Sequence, residues 1–167
     1  MSTKNSNFFS RDCMVQALIQ LLKTKSLSNI TITELTERAG VSRMTYYRNY
    51  HSLDEIFSSY LKDLVESYRQ DVATWPDSRN MLHCYEYFNH YKEFIACLVQ
   101  TGLGHLLLQA LDSYILDTYY TEDKGQDFYY TLRAFSGSLY NIYVTWILED
   151  SKESAEEIVS IICKIYS

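Results

Sequence analysis

One proline and five glycines punctuate 167 residues. That is too few turn-formers for an all-β sandwich and far too few for a collagen-like or low-complexity chain. The four cysteines, Cys13, Cys84, Cys97 and Cys163, form no CxxC pair and no zinc-like spacing with histidine, so reduced thiols are expected. No apolar run approaches the ~20 residues that span a bilayer, and no membrane partner is expected. Met1 to Asn7 is polar with no apolar h-region, so no secretory leader is expected and the sequon Asn29-Ile30-Thr31 reads as chance. Dinucleotide, Walker, HExxH and GxSxG motifs are all missing, which leaves a helical enzyme without catalytic signatures. His83, His90, His105 and Cys84 imitate a metal cluster, but only His83 and His90 share a helix face and no third ligand joins them. No metal and no cofactor are expected.

What remains is a chain that is 47% hydrophobic, enough to bury a core, with a net charge of −6 that is unevenly divided. Residues 1–52 carry seven basic residues (Lys4, Arg11, Lys23, Lys25, Arg38, Arg43, Arg48) and three acidic ones (Asp12, Glu34, Glu37), a net +4. Residues 53–167 carry a net −10. A basic head on an acidic body points to a head that meets a polyanion and a body that does not.

Periodicity makes the chain all-α, with about nine helices. Residues 1–9 read as a polar N-terminal tail, and Ser10 as the N-cap of a first helix with Val15, Ala17, Leu18 and Leu21 on its apolar face. Thr31-Ile32-Thr33-Glu34 is a capping box that opens a second helix, and Gly40 ends it in a position suited to left-handed backbone. Ser42 caps a third helix at once, running to about Tyr50. Two short helices around a Gly-containing turn, preceded by a longer one, form a helix-turn-helix. Ile32, Leu35, Ala39, Val41, Tyr46 and Tyr50 are its expected core. Ser52 opens a fourth helix over 53–75, with Asp54 and Glu55 in its first turn, and Trp75-Pro76 marks a junction near 72–77. Five further helices are expected over 78–91, 92–101, 104–120, 127–149 and 154–166, the last opened by a second capping box at Ser154 to Glu157. The organisation is thus a tail (1–9), a helix-turn-helix domain (10–52, motif 31–50), a connecting helix (53–75) and a helical regulatory and dimerisation domain (76–167).

From Thr31 the chain reads TITELTERAGVSRMTYYRNY, then HSLDEIF. This resembles the tetracycline-repressor (TetR) family of bacterial transcriptional regulators over about residues 10–57, with A-G-V-S followed by T-x-Y as the most specific part. Thr31, Ile32, Leu35, Ala39, Gly40, Val41, Ser42, Thr45, Tyr47, Ser52 and Ile56 carry the likeness. Met44 stands where the family has a small residue, and Leu53 where it has a lysine. Independently of the family, the first turn of a short third helix can enter a major groove, where base edges are distinguishable. Ser42, Arg43, Met44 and Thr45 occupy that turn. Arg43 can donate two hydrogen bonds to a guanine, and Met44 or Thr45 can meet a thymine methyl. The resemblance sets Tyr47 against a phosphate. Thr31 and Thr33, at the positive end of the second helix, are further phosphate candidates, with a cap alone as the competing account of Thr31, and Arg48 and His51 add charge nearby.

The resemblance also implies an effector pocket in the body and a cytoplasmic homodimer on a palindromic operator. Tyr85, Phe88, Tyr114, Phe135 and Tyr143 are the candidate pocket residues, since aromatic walls with hydroxyl tips suit an apolar or planar ligand. An aromatic stripe at helical spacing is more often plain core, which is the competing account. The implied dimer forms through the last two helices, with Leu139, Ile142, Trp146, Ile158, Ile162 and Ile165 as candidate contacts and Gly137 allowing close approach. Packing within one chain is the competing account of those faces. The function expected is a DNA-binding repressor relieved by a small effector. The alternatives are the same head controlled by a partner protein on the acidic body, or a helical enzyme.

Overall fold

The computed structural model describes residues 3–73, 81–150 and 152–165. Among these, the chain forms nine α-helices and two short 3-10 turns. The helices are α1 (Thr3–Leu22), α2 (Ile32–Ala39), α3 (Arg43–Asn49), α4 (Leu53–Ala73), α5 (Met81–Asn89), α6 (Lys92–Gln100), α7 (Gly104–Tyr119), α8 (Gly125–Leu148) and α9 (Ala155–Ile165). The chain divides into two compact units between Leu64 and Val65, inside α4, so that helix contributes to both. Trp75 and Pro76, at the expected junction, lie outside the described residues.

In the first unit α1 begins at Thr3, not after Ser10. The expected tail contains no proline or glycine, and extending a helix costs far less than starting one, so the helix runs upstream. Met14, Val15, Leu18 and Leu21 of α1 are buried with Leu35, Tyr46, Tyr50, Ile56, Phe57 and Leu61. Ile32, Ala39 and Val41, expected in the core, are only half-buried. Ile30 is buried in their stead, just before α2.

The turn between α2 and α3 follows from Gly40, whose φ of 66° is left-handed and unfavourable for any residue with a Cβ. Its N–H returns to Glu37 and Thr36, and the Val41 N–H reaches the Thr36 carbonyl at 3.0 Å, closing the end of α2. Two residues later Ser42 caps α3, its hydroxyl accepting the Thr45 N–H at 3.1 Å. At the start of α4 the Ser52 hydroxyl accepts the Glu55 N–H at 3.3 Å, and the Glu55 carboxylate returns to the His51 N–H at 2.6 Å.

In the second unit α7 packs along α8, α6 touches both, and α9 lies on α5. A polar clamp ties α7 to α8: buried Asp112 accepts from Arg133 and from fully buried Ser136. Gly104 opens α7 beneath the Tyr140 side chain, whose hydroxyl would have to move to admit a Cβ there, at 2.7 Å. Trp146 is buried, and its indole N–H donates to the Glu153 carbonyl at 2.9 Å, holding the turn into α9.

The expected interface residues divide by their burial in the single chain. Trp146, Ile158 and Ile162 are buried, and Leu139 lines a cavity. Helix α9 lies on α5, and the Trp146 ring packs 5.9 Å from Tyr85. Ile142 is half-buried, and Ile165 is exposed together with Ile161 and Leu148.

Ile162→Ala should therefore lower stability by about 2–5 kcal/mol, as for a fully buried aliphatic side chain. Urea unfolding should give the same loss across a hundredfold range of protein concentration. A loss that shrinks on dilution would put Ile162 between copies.

Candidate nucleic-acid interface and ligand cavity

In the first unit, α3 is anchored from beneath by Tyr46 and by Tyr50 just past its end, whose rings lie 5.9 Å apart. That anchoring turns the opposite side outward. Arg43, Met44, Tyr47 and Arg48 are all exposed, Met44 and Tyr47 each at 60%. They are spaced at i, i+1, i+4 and i+5, one contiguous face of a helix. An exposed methionine and tyrosine between two arginines form a surface that offers bidentate donors, an apolar tip and a hydroxyl.

The remaining candidates are also at the surface, but several are committed locally. Ser42 and Thr45 share a hydroxyl–hydroxyl contact of 2.9 Å, and Thr45 is half-buried. The Thr31 hydroxyl accepts from the Glu34 N–H and donates to its carboxylate at 2.9 Å. His51 is exposed, with Nδ1 3.1 Å from the Glu55 carboxylate. Thr33 is exposed. The sequence-level signal that Thr31 could be a cap is thus realised in full, with reciprocal bonds.

Two of the basic residues of the head are spent inside it. Lys25 pairs with Glu34, and Arg11 pairs with Asp63 at 2.8 Å. Lys25 and the Thr31 amide and hydroxyl together hold the Glu34 carboxyl down to about 2. Taken over its structural bounds, residues 1–64, the unit has eight basic and six acidic residues, a net +2. Residues 65–167 carry seven and fifteen, a net −8. The contrast in sign survives, and the positive charge not consumed by ion pairs includes Arg43 and Arg48 of α3.

The second unit holds a partly open cavity of about 130 Å3. Tyr85, Phe88, Tyr114, Phe135 and Tyr143 all line it, so three helices bring the five together. Tyr68, Cys84, Leu111 and Tyr140 also line it. Sequence spacing marks Tyr68 only as apolar face and Cys84 only as a thiol, because cavity membership depends on which faces meet. The Tyr68 hydroxyl is hydrogen-bonded with Cys84 and Tyr114. Its ring packs 5.4 Å from Phe88 and 5.5 Å from Tyr114. Burial pushes the Cys84 thiol up to about 11, so it is a neutral wall and not a nucleophile. Burial likewise drives the Tyr68, Tyr85 and Tyr143 phenols far above their ordinary value.

The histidines named above have local partners: His83 the Glu86 carboxylate, His90 the Glu86 carbonyl and His105 the Gly102 carbonyl. Among the described residues no group of three or more His, Cys, Asp or Glu could hold a metal ion. No helix among them is long and apolar enough to cross a membrane.

No family model matches the chain, and no curated protein matches it. Solved structures do. The dihydroxyacetone kinase operon activator DhaS is 15% identical, with 93% of each chain covered and a TM-score of 0.66. The fatty acid degradation regulator FadR from Bacillus halodurans is 14% identical, covering 92% of this chain and 96% of its own, with a TM-score of 0.60. The TetR family repressor AlkX from Dietzia sp. strain DQ12-45-1b, implicated in biodegradation of n-alkanes, is 15% identical over 92% and 94%, with a TM-score of 0.51. At such identities what is shared is the fold.

The Glu34 carboxyl yields a pH prediction. Its folded value lies below the ordinary 4.5, so the stability it contributes is present above 4.5 and is lost as pH falls toward 2. Glu34→Gln should flatten the acid side of the stability profile in that window. Equal slopes for variant and native protein would mean that the Lys25–Glu34–Thr31 cluster does not persist in solution.

Proposed function

We propose that this chain, which has the fold of the TetR-family regulators, is a homodimeric, sequence-specific DNA-binding transcriptional regulator governed by a small molecule. The observation that carries the reading is the outward face of α3, Arg43, Met44, Tyr47 and Arg48, exposed on a helix whose other side is buried. Arg43 reads a guanine edge through two donors, and Met44 meets a thymine methyl. Thr45 is the weaker of the two apolar candidates because its hydroxyl is engaged with Ser42. Tyr47 and Arg48 contact phosphates, with Thr33 and His51 at the flanks, and these contacts orient the head without reading sequence.

A seven-residue helix reads few bases, so a useful affinity calls for two heads on a palindrome. A second copy has an apolar surface available in Leu148, Ile161 and Ile165, which are exposed in the single chain. Control by a small molecule is favoured over a partner protein by the apolar cavity, while the net −8 of the second unit is the feature that a basic partner would use. A bound molecule shifts DNA affinity only if it binds one arrangement of the dimer better than another. Helix α4, which carries cavity residues Val65 and Tyr68 and head core residues Ile56 and Phe57, is the route for that coupling. Repression relieved by the ligand is the simplest output. Among the proteins of similar fold, one is a repressor and another an operon activator.

Selection from random duplexes should yield a palindrome whose affinity falls steeply with salt, as counterion release requires. Arg43→Ala should cost about 1–3 kcal/mol on that site and relax one position of it. Tyr47→Phe should weaken all duplexes alike. Exchange of the two behaviours would reverse the assigned roles, and no selected duplex at all would overturn the reading.

Leu148→Glu with Ile161→Glu should give a folded monomer at micromolar concentration in sedimentation, with palindrome binding lost. An unchanged dimer would move the interface to another surface.

A further inference from the structure

The cavity of the second unit has walls of one chemical kind. None of the described residues lining it is Lys, Arg, His, Asp or Glu. The Arg69 guanidinium, 4.9 Å from the centre of the Tyr114 ring, is paired with Asp117 at 2.9 Å. An ionised guest would lose its hydration with no counter-charge to replace it. Size narrows the range further. At about 130 Å3 the space is close to that of an apolar protein cavity of roughly 150 Å3 that accepts benzene.

The polar atoms at the wall are not equivalent. The Tyr68 hydroxyl is hydrogen-bonded with Cys84 and Tyr114, and the Tyr85 hydroxyl reaches the Leu139 carbonyl at 3.5 Å. Tyr143 lines the same cavity at 8% exposure, and its buried hydroxyl has no hydrogen-bond partner among the described residues. Its ring is held edge-on to Tyr85 at 5.4 Å and tilted against Trp146 at 6.1 Å, so the ring is restrained by two aromatic neighbours. A buried hydroxyl without a partner is costly, and a guest oxygen placed against it removes that cost.

The geometry points to an uncharged, largely apolar ligand about the size of one substituted aromatic ring, anchored by a single hydrogen bond to the Tyr143 hydroxyl. This deepens the proposal that the second unit senses a small molecule, and rests on it for its biological meaning. Selection by such a site works through exclusion: carboxylates and amines are refused by the uncharged wall, and the Tyr143 hydroxyl orients what enters.

Phenol and toluene are near-isosteres that differ in one hydroxyl, and they serve as probes for calorimetric titration of the full chain at pH 7. Tyr143→Phe should weaken phenol about three- to tenfold, the usual range for one neutral hydrogen bond, and leave toluene within about twofold. Benzoate and benzylamine, charged at this pH, should bind at least about tenfold more weakly than phenol. Ala110→Leu, which adds bulk at another lining residue and leaves Tyr143 in place, should weaken both neutral probes by about tenfold or more and keeps the test decisive if Tyr143→Phe does not fold. The proposal is overturned if neither neutral probe binds, if phenol and toluene respond alike to Tyr143→Phe, if the charged probes bind as well as phenol, or if Ala110→Leu changes nothing. Duplex binding by the same preparation is scored separately. The phenol-selective loss in a protein that binds no duplex would uphold the ligand class and remove the regulator. Duplex binding without probe binding would do the reverse.

Discussion

A tyrosine can fill a core only if its hydroxyl finds a partner or an opening, and with sixteen tyrosines in the chain much of the architecture follows from that requirement. In the first unit Tyr50 is almost wholly buried beside α3, and Arg11 of α1 reaches its hydroxyl while Asp63 of α4 holds the arginine. Tyr60 of α4 donates to Asp12 at 3.4 Å. These phenols therefore connect α1, α3 and α4 by directional bonds as well as by area. In the second unit the same requirement is met by Tyr68 with Cys84 and Tyr114 and is left unmet at Tyr143. One rule thus accounts for a tightly specified head and for a cavity wall that carries the unpartnered Tyr143 hydroxyl.

The ends of the short helices are the second determinant. Isolated helices of seven or eight residues are unstable in water, so α2 and α3 depend on their caps and on the core beneath them. Thr31, Ser42 and Ser52 each spend a hydroxyl on an N-terminal amide. Acidic partners complete two of these ends, Glu34 at α2 and Glu55 at α4. The same residues that define the turn are thereby partly withdrawn from outside partners. The outward stripe of α3, with no structural duty on its exposed side, is what remains for recognition.

Charge is distributed by the same logic. Lys25 and Arg11 count toward a basic head when read along the chain, yet both are neutralised by ion pairs inside the unit. In the second unit the one deeply placed ionic group, Asp112, is answered by Arg133 and Ser136 and joins α7 to α8. A half-satisfied carboxylate there would destabilise the helix pair, because a buried charge without its partner is costly. The cavity, by contrast, is free of charge altogether.

Local order was legible in the sequence by itself. The capping boxes at Thr31 and Ser154, the left-handed stop at Gly40, the immediate restart at Ser42 and the all-helical character rest on interactions within four or five residues. The spacing of neighbours along the chain determines such interactions. Residues 3–9 escaped that logic, because whether a helix that needs no breaker continues upstream depends on propagation and not on a cap. The faces of the helices were decided only by tertiary structure. Ile158 and Ile162 form an apolar stripe on any helical wheel, and whether that stripe meets α5 or a second copy is a question of which surfaces come together. The same holds for Tyr143 and Cys84, whose placement at one cavity wall comes from the meeting of α5 and α8. Periodicity specifies that a face must be covered; only the packed chain specifies by what.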